Sequence, residues 1–459
     1  AIGFRQPPRL RLARFNSRLG IGGYVGMIAV VTVALVLGAL VVLSGAGLSP
    51  WWLALAAFLA VLPASEVATA LVNRAVAWSF GAVTLPGLDL KAGVPSALRT
   101  LVAVPTLLTG EADLREQIER LEVHHLSGTG GDFTFTLLTD GLDADCEIVD
   151  GDAALLAVAV DAIAQLNLIH GPGPCGDRFL LLHRRRLFND SENKWMGWER
   201  KRGKLHELNR LLRGATDTSF MAVAGMAPCV PPDVRYVITL DADTRLPRDA
   251  AARLVGKMAH PLNRPHFSPE QGRVTDGYGI LQPRVTPALP MTCEGSPYQR
   301  VFSAPGGMDP YAAATSDVYQ DLFGEGSYTG KGIYDVDVFE AALAGRVADN
   351  TLLSHDLFEG VFARAGLTSD IEVVEDFPSR YEVAAKRQHR WIRGDWQLLP
   401  WIFGTKALPC VGRWKMLDNL RRSVLAPLTL AAFGLGWLLP AGAAFHATLL
   451  LLASLTIPT

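Results

Sequence analysis

The segment YVITLDADTRLP, Tyr236 to Pro247, sets two carboxylates, Asp241 and Asp243, two positions apart directly behind an apolar run. In extended chain, residues i and i+2 point to one face. Two acids leaving the tip of a buried strand side by side suit a hard divalent cation, Mg2+ or Mn2+, that carries a diphosphate. A cation bridging a diphosphate stabilises it as a leaving group. A lone Asp-X-Asp arises often by chance; here the strand before it and the Leu-Pro-Arg after it single it out.

Other chemistries find less support. The five cysteines (Cys146, Cys175, Cys229, Cys293, Cys410) are scattered without a CxxC pair, so neither a thiolate metal site nor a disulfide framework is expected, and a reducing compartment fits. His124, His125 and His206 lack metal-ligand spacing and read as surface or satisfied histidines. No GxGxxG follows the first strand and no Walker lysine motif is present, against a dinucleotide dehydrogenase or a P-loop enzyme. A formal net charge of -2 gives no bulk electrostatic case for nucleic acid.

The acids need a scaffold, and the middle of the chain supplies one. Arg99 to Thr106 is a Val-rich run that reads as a buried parallel strand. In the next segment Leu114, Ile118 and Leu121 repeat at helical spacing. Phe133 to Leu138 predicts a strand, Ala153 to Leu168 a helix, Phe179 to Arg184 a strand, Lys201 to Leu212 a helix and Tyr236 to Leu240 a strand. Alternating strands and helices imply an α/β domain with a mostly parallel sheet and ligands at the strand C-terminal ends.

Both ends of the chain are apolar instead. Tyr24 to Ser44 is uncharged and long enough to cross a bilayer. Trp51 to Val72 is a second candidate span; it contains Pro63 and Glu66, and a carboxylate there is expected to face protein or water. Val424 to Pro440 and Ala441 to Thr459 read as two more. Arg5, Arg9, Arg11, Arg14 and Arg18 precede the first span, Arg74 follows the second, and Arg413, Lys415, Arg421 and Arg422 precede the third. The connector SGAGLSP carries no charge, so the positive-inside rule puts the N-terminus and the middle region in the cytoplasm. The first residues lack an initiator Met and a signal-peptide layout, and the last stop inside an apolar run, so the chain is expected to be a piece of a larger protein. These patterns divide it into residues 1–80 (a basic arm and two spans), 81–415 (the α/β domain) and 416–459 (two spans, the second truncated).

Several motifs arrive in an order that resembles the processive family-2-type glycosyltransferases: VAVPTLLTG, WERKRGKLHELNRLL, DAD, TLLSHDLFEG and RQHRW. The stretches from SPYQRVFSAPGG to VFEAAL and RYEVAAKRQHRWIRGDWQLLPW are more closely similar to the glycosyltransferase region of cyclic β-1,2-glucan synthases, nearly along the whole chain. The resemblance implies a GT-A-type domain between membrane helices in a bacterial-type inner membrane. Its substrates would be UDP-glucose and a growing, protein-linked glucan extended through β-1,2 bonds with inversion, and other domains of the same long polypeptide would be partners.

Carried over residue by residue, the resemblance makes Asp356 the catalytic base and Asp241 and Asp243 the metal motif. Pro105, Thr106, Lys204, Asp241, Arg390 and Trp391 would bind the donor, and Trp391, Gly326 and Tyr328 the acceptor. Each role has a physical counterpart. A base must take the proton of the attacking hydroxyl as the C1–O bond breaks. An arginine fork clamps phosphate and a Trp face lies against a sugar. The GEGSYTGKG loop lets backbone approach a ligand closely. Two departures stand out: His355 replaces the Glu expected before the base, and Arg387 the Gln of QxxRW. Rival readings are a processive synthase of another polymer, such as cellulose or hyaluronan, and a non-catalytic membrane transporter or scaffold.

Overall fold

A computed structural model describes residues 8–128, 130–288, 295–303, 315–404 and 408–457. Arg5, Cys293, the stretch APGGMDPYAAA and Thr459 lie outside the described residues. The chain divides into two compact units: a helical one (1–83, 318–324 and 389–459) and an α/β one (84–317 and 325–388).

The α/β unit is built on strands β1 (Thr100–Leu108), β2 (Phe133–Gly141), β3 (Phe179–Arg184), β4 (Leu187–Asn189), β5 (Lys194–Met196), β6 (Tyr236–Thr239), β7 (Thr244–Arg245), β8 (His266–Ser268), β9 (Arg273–Asp276), β10 (Ile280–Pro287), β11 (Gly332–Asp335) and β12 (Ala365–Glu375). Eight of them form one sheet in the order β3-β2-β1-β6-β11-β10-β12-β7. β1, β2, β3 and β6 pair in parallel, as do β10 and β12. β11 runs antiparallel to both β6 and β10, and β7 antiparallel to β12. The sheet is therefore mixed: its first half is the parallel sheet expected from the sequence and its second half is not.

Burial follows from composition. All four residues of β6 and all nine of β2 are buried, as their near-continuous apolar and Thr runs require of strands covered on both faces. Helix α3 (Glu111–Leu126) turns Leu114, Ile118 and Leu121 into the core, and Glu111 and Asp113 sit in its first turn, where the helix dipole favours acids. Helix α4 (Asp152–His170) is long and apolar enough to cross a membrane, yet it sends Ala159, Ile163 and Leu166 into the sheet core and packs on β3. It is a layer of the α/β unit. Helices α5 (Arg200–Leu212) and α6 (Ala250–Ala259) complete the side of the unit that matters here.

In the helical unit, α1 (Pro8–Ser44) is broken at Gly20, whose φ of 57° and ψ of -156° interrupt the helix. Beyond it, Leu19–Ser44, 26 residues long, has a mean hydropathy of 2.8 over its most apolar 18 residues, and α2 (Pro50–Phe80), 31 residues long, has 1.9. Both exceed the ~20 residues that a bilayer core requires. The third and fourth expected spans fall on two later helices. One, Cys410–Trp437, carries its charged residues in its first half. The other, Ala441–Thr456, has 16 residues. Glu66 does face protein: Arg421 donates to it at 2.7 Å, and Arg421 also reaches Ser65 and Asp418.

Candidate active site

Strand register brings the acids together. Leu240 donates its N–H to Ala103 O at 3.1 Å, so the chain leaves the sheet beside the C-terminal half of β1, with Asp241 and Asp243 just beyond. β12 pairs with β7 so that Glu375 lies opposite Thr244, and Asp376 N–H donates to Asp243 O at 3.2 Å. Asp241, Asp243 and Glu375 thereby each offer a carboxylate oxygen within 4.8 Å of the others, all half-buried.

Three cations interleave these acids. Lys201 Nζ meets Asp241 Oδ1 at 2.5 Å, and Lys331 Nζ meets Asp241 Oδ2 at 3.0 Å. Lys331 also meets Glu375 Oε2 at 2.9 Å. Arg387 spans the other oxygen of Glu375 at 3.0 Å and Asp243 Oδ2 at 3.2 Å. Burial alone would favour a neutral Asp241, but Lys201 and Lys331 hold its carboxyl well below the usual range. Asp243 is pushed up, by burial first and then by Glu375 and Asp241, with Arg387 opposing. Lys331 is held well above its ordinary value: burial opposes, and Asp241 and Glu375 prevail.

The glycine-rich loop closes the opposite side. Gly330 has a φ of 86°, and a Cβ there would lie 2.8 Å from Asp356 Oδ1, so the Asp356 carboxylate rests directly against the Gly330 backbone. Lys201 donates to Gly330 O at 2.8 Å, which joins this carboxylate's neighbourhood to Asp241. Gly332, with a φ of 142°, has Leu281 O where a side chain would begin. Thr329 N–H donates to Gln282 Oε1 at 2.5 Å, pinning the loop to β10. Asp356 opens the helix Asp356–Phe362 and is half-buried; Glu359, one turn later, is buried and pushed up to about 8 by burial and by Asp356.

A second layer braces Lys201. Arg184, with a side-chain exposure of 0%, grips both oxygens of Asp140 at 2.8 and 2.9 Å and Glu207 at 3.0 Å. The same guanidinium donates to Trp198 O at 3.0 Å and Arg200 O at 3.1 Å, the two carbonyls that flank Glu199. Glu199 and Arg200 both have a φ of 48°, a left-handed pair that persists only when its surroundings over-determine it. Glu199 accepts from Asn350 N–H at 2.5 Å, and Gly203 leaves the room that Trp198 O needs. Lys201 thus leaves a rigid base.

Of the residues expected from the sequence, Asp241, Asp243 and Asp356 share this site with Lys201 and Gly330. Pro105 and Thr106 lie half-buried at the end of β1. Lys204 is buried, and its ammonium contacts Thr106 O at 2.7 Å, Leu138 O at 3.1 Å and Asp140 at 2.9 Å, so it ties β1 to β2. Burial lowers it to about 8, against the pull of Asp140. Gly326 N–H donates to Ala365 O at 2.8 Å, and Tyr328 is buried against Gly360. Arg390 and Trp391 belong to the helical unit, the first exposed and the second half-buried. His355 is buried 3.9 Å from Glu199. Sequence reasoning missed Lys201 and Glu375. Lys201 stands one helical turn before Lys204, and Glu375 ends the run IEVVE; both signals were present.

No protein-family model matches the chain. It is similar to the cyclic beta-(1,2)-glucan synthase NdvB of Rhizobium meliloti (strain 1021), 52% identical over 377 residues. The alignment covers 82% of this chain and 13% of that protein, so the chain matches one region of that protein and spans a small part of its length.

Proposed function

We propose that this chain is the glucan-elongating glycosyltransferase region of such a synthase, a GT-A-type α/β domain carried by membrane helices, with UDP-glucose as donor. The observation that supports it most is the ring of Asp241, Asp243 and Glu375 with Lys201, Lys331 and Arg387, set at strand C-terminal ends beside Asp356. The similarity to a cyclic glucan synthase supplies the substrate class.

The donor set fits Mg2+ or Mn2+. Octahedral oxygen ligands at roughly 2.0–2.1 Å from the metal stand about 3–4 Å apart, and carboxylates within 4.8 Å of one another need only a small contraction. Asp241, Asp243 and Glu375 would hold the ion, which when bound neutralises the diphosphate. Asp356 takes the proton of the attacking glucan hydroxyl as that oxygen bonds to C1 of the sugar and the C1–O bond to the diphosphate breaks. Attack opposite the leaving group inverts C1 and yields the β link. Lys201 and Lys331 stand beside the carboxylates that would hold the cation, where their positive charge meets the charge developing on the leaving diphosphate and lowers the barrier. In this reading residues 81–415 supply the transferase domain and the flanking segments anchor it as a multi-pass protein, with the domain in the cytoplasm of a bacterial-type cell.

The test is UDP release from UDP-glucose with Mn2+, measured on the full-length enzyme containing this region. Release that is lost with Asp356→Asn supports the reading. Release by the Asp356→Asn and Asp243→Asn variants equal to that of the unaltered enzyme rejects it, and a non-catalytic scaffold would keep its role in glucan production when both are changed.

A further inference from the structure

We infer that Lys201 and Lys331 are resident counter-ions of the cation site. They hold Asp241 in the free protein and turn to an anionic diphosphate when a divalent cation takes the carboxylates. Cation and diphosphate therefore bind as a coupled pair. This rests on the transferase reading and adds to it an order of events and two ligand-exchanging residues.

The geometry carries it. Each oxygen of Asp241 already has its own ammonium, Lys201 at 2.5 Å and Lys331 at 3.0 Å, so a cation reaches either oxygen only by displacing a lysine. Arg387 holds Asp243 and Glu375 in the same way. With three acids and three bases, the half-buried cluster is formally neutral. A divalent ion entering alone would leave two uncompensated positive charges among three cations. A diphosphate entering alone would meet carboxylates. Arriving together, each supplies the partner that the other displaces.

The displaced groups stay in place during the exchange. Lys201 keeps Gly330 O at 2.8 Å, and Lys331 keeps Glu375 at 2.9 Å. Glu375 has one oxygen on Lys331 and the other on Arg387, so the oxygen facing Arg387 is given to the cation while the other keeps Lys331 beside the site. The left-handed Glu199–Arg200 pair and the buried Arg184 fix the backbone from which Lys201 pivots. Lys201 is therefore a side-chain switch on a fixed base.

The experiment measures Mn2+ binding to the full-length enzyme by electron paramagnetic resonance, alone and with UDP. Lys201→Gln removes a competitor of the metal, so Mn2+ alone should bind about fivefold tighter or more, the low end of typical coupling between sites. The same variant should bind UDP more weakly in the presence of Mn2+, so the two shifts have opposite signs. A merely structural lysine would weaken both or neither. Lys331→Met should repeat the pattern, and circular dichroism of each variant establishes that it is folded. If Lys201→Gln binds Mn2+ alone no tighter than the unaltered protein, the exchange is overturned. Asp243→Asn separates the two claims. Loss of Mn2+ binding there, with no tightening in Lys201→Gln, overturns the exchange and leaves the cation site. Unchanged Mn2+ binding in Asp243→Asn overturns the cation site itself.

Discussion

Replacing Arg184 by Met should cost the α/β unit more than any exposed ion pair would. The Arg184 side chain is 0% exposed, and its guanidinium makes five bonds: two to Asp140, one to Glu207, and one each to Trp198 O and Arg200 O. Met fills much of the same volume and supplies none of them. Asp140 would keep Lys204 at 2.9 Å, and Glu207 would keep Ser219 N–H at 2.7 Å, so neither acid is wholly abandoned. Breaking a buried pair from one side costs about 3–5 kcal/mol, and the surviving partners place this case near the lower figure. At about 2–4 °C per kcal/mol for a unit of this size, the melting temperature should fall by roughly 6–12 °C. Differential scanning fluorimetry in detergent reads that shift. A second readout follows from the two carbonyls: once freed, they no longer hold the left-handed turn before Lys201. UDP release at a temperature where the variant is fully folded should then also drop, by about tenfold or more for a misplaced polar group. A melting temperature within 3 °C of the unaltered protein's, roughly 1 kcal/mol on the same scale, would refute the claim that this network braces the site.

Asp243→Asn should lower UDP release by about 100-fold or more, since a metal ion contributes several kcal/mol to leaving-group stabilisation, and EDTA should do the same to the unaltered enzyme. Asp356→Asn should lower it by roughly 10²–10⁴-fold, the usual range for a positioned base, with Mn2+ binding unchanged. Gly330→Ala puts a methyl group into the Asp356 carboxylate at a φ of 86°, so turnover should collapse while UDP affinity measured by calorimetry changes little. His124, His183 and His355 are each lowered to about 4 by burial, from an ordinary 6.5. The unfolded chain takes up those protons as pH falls through that window and the folded chain does not, so stability should decline from about 6.5 toward about 4. Glu359, raised to about 8, works against this decline, and melting curves should be flatter with pH in His124→Leu.

Much of the parallel half of the fold was legible because its elements are locally determined. The apolar run from Arg99, the Leu114–Ile118–Leu121 stripe and Phe179 to Arg184 each carry their own period, and β1, α3 and β3 fall on them. The antiparallel insertion of β11 between β6 and β10 was not legible. Gly332–Asp335 is four residues long, and its direction is set by neighbours remote in sequence, with Gly332 chosen because Leu281 O leaves no room for a side chain. Asp152–His170 shows the converse. Its hydropathy of 1.6 satisfies a membrane criterion, but the sheet covers one face, and that is a tertiary fact no window along the chain contains.

The site divides along the same line. Asp241 and Asp243 announce themselves because both follow directly behind one apolar strand, in a turn closed by Thr244 N–H on Asp241 O, whereas Glu375 reaches them only through the β12–β7 register, across more than a hundred residues. Lys204 drew attention through its motif, yet its ammonium closes the ends of β1 and β2 while Lys201, one turn earlier, reaches Asp241. On a helix a three-residue step rotates the side chain by about 60° short of a full turn. Here that rotation separates a lysine buried among backbone carbonyls from one on the acid cluster. A motif marks which helix serves the site, and packing decides which of its side chains arrives. The buried Asp140–Arg184–Glu207 group makes that choice by fixing the carbonyls of Trp198 and Arg200, so the pair of lysines must be tested separately: Lys204→Met should act through stability, and Lys201→Gln through cation binding.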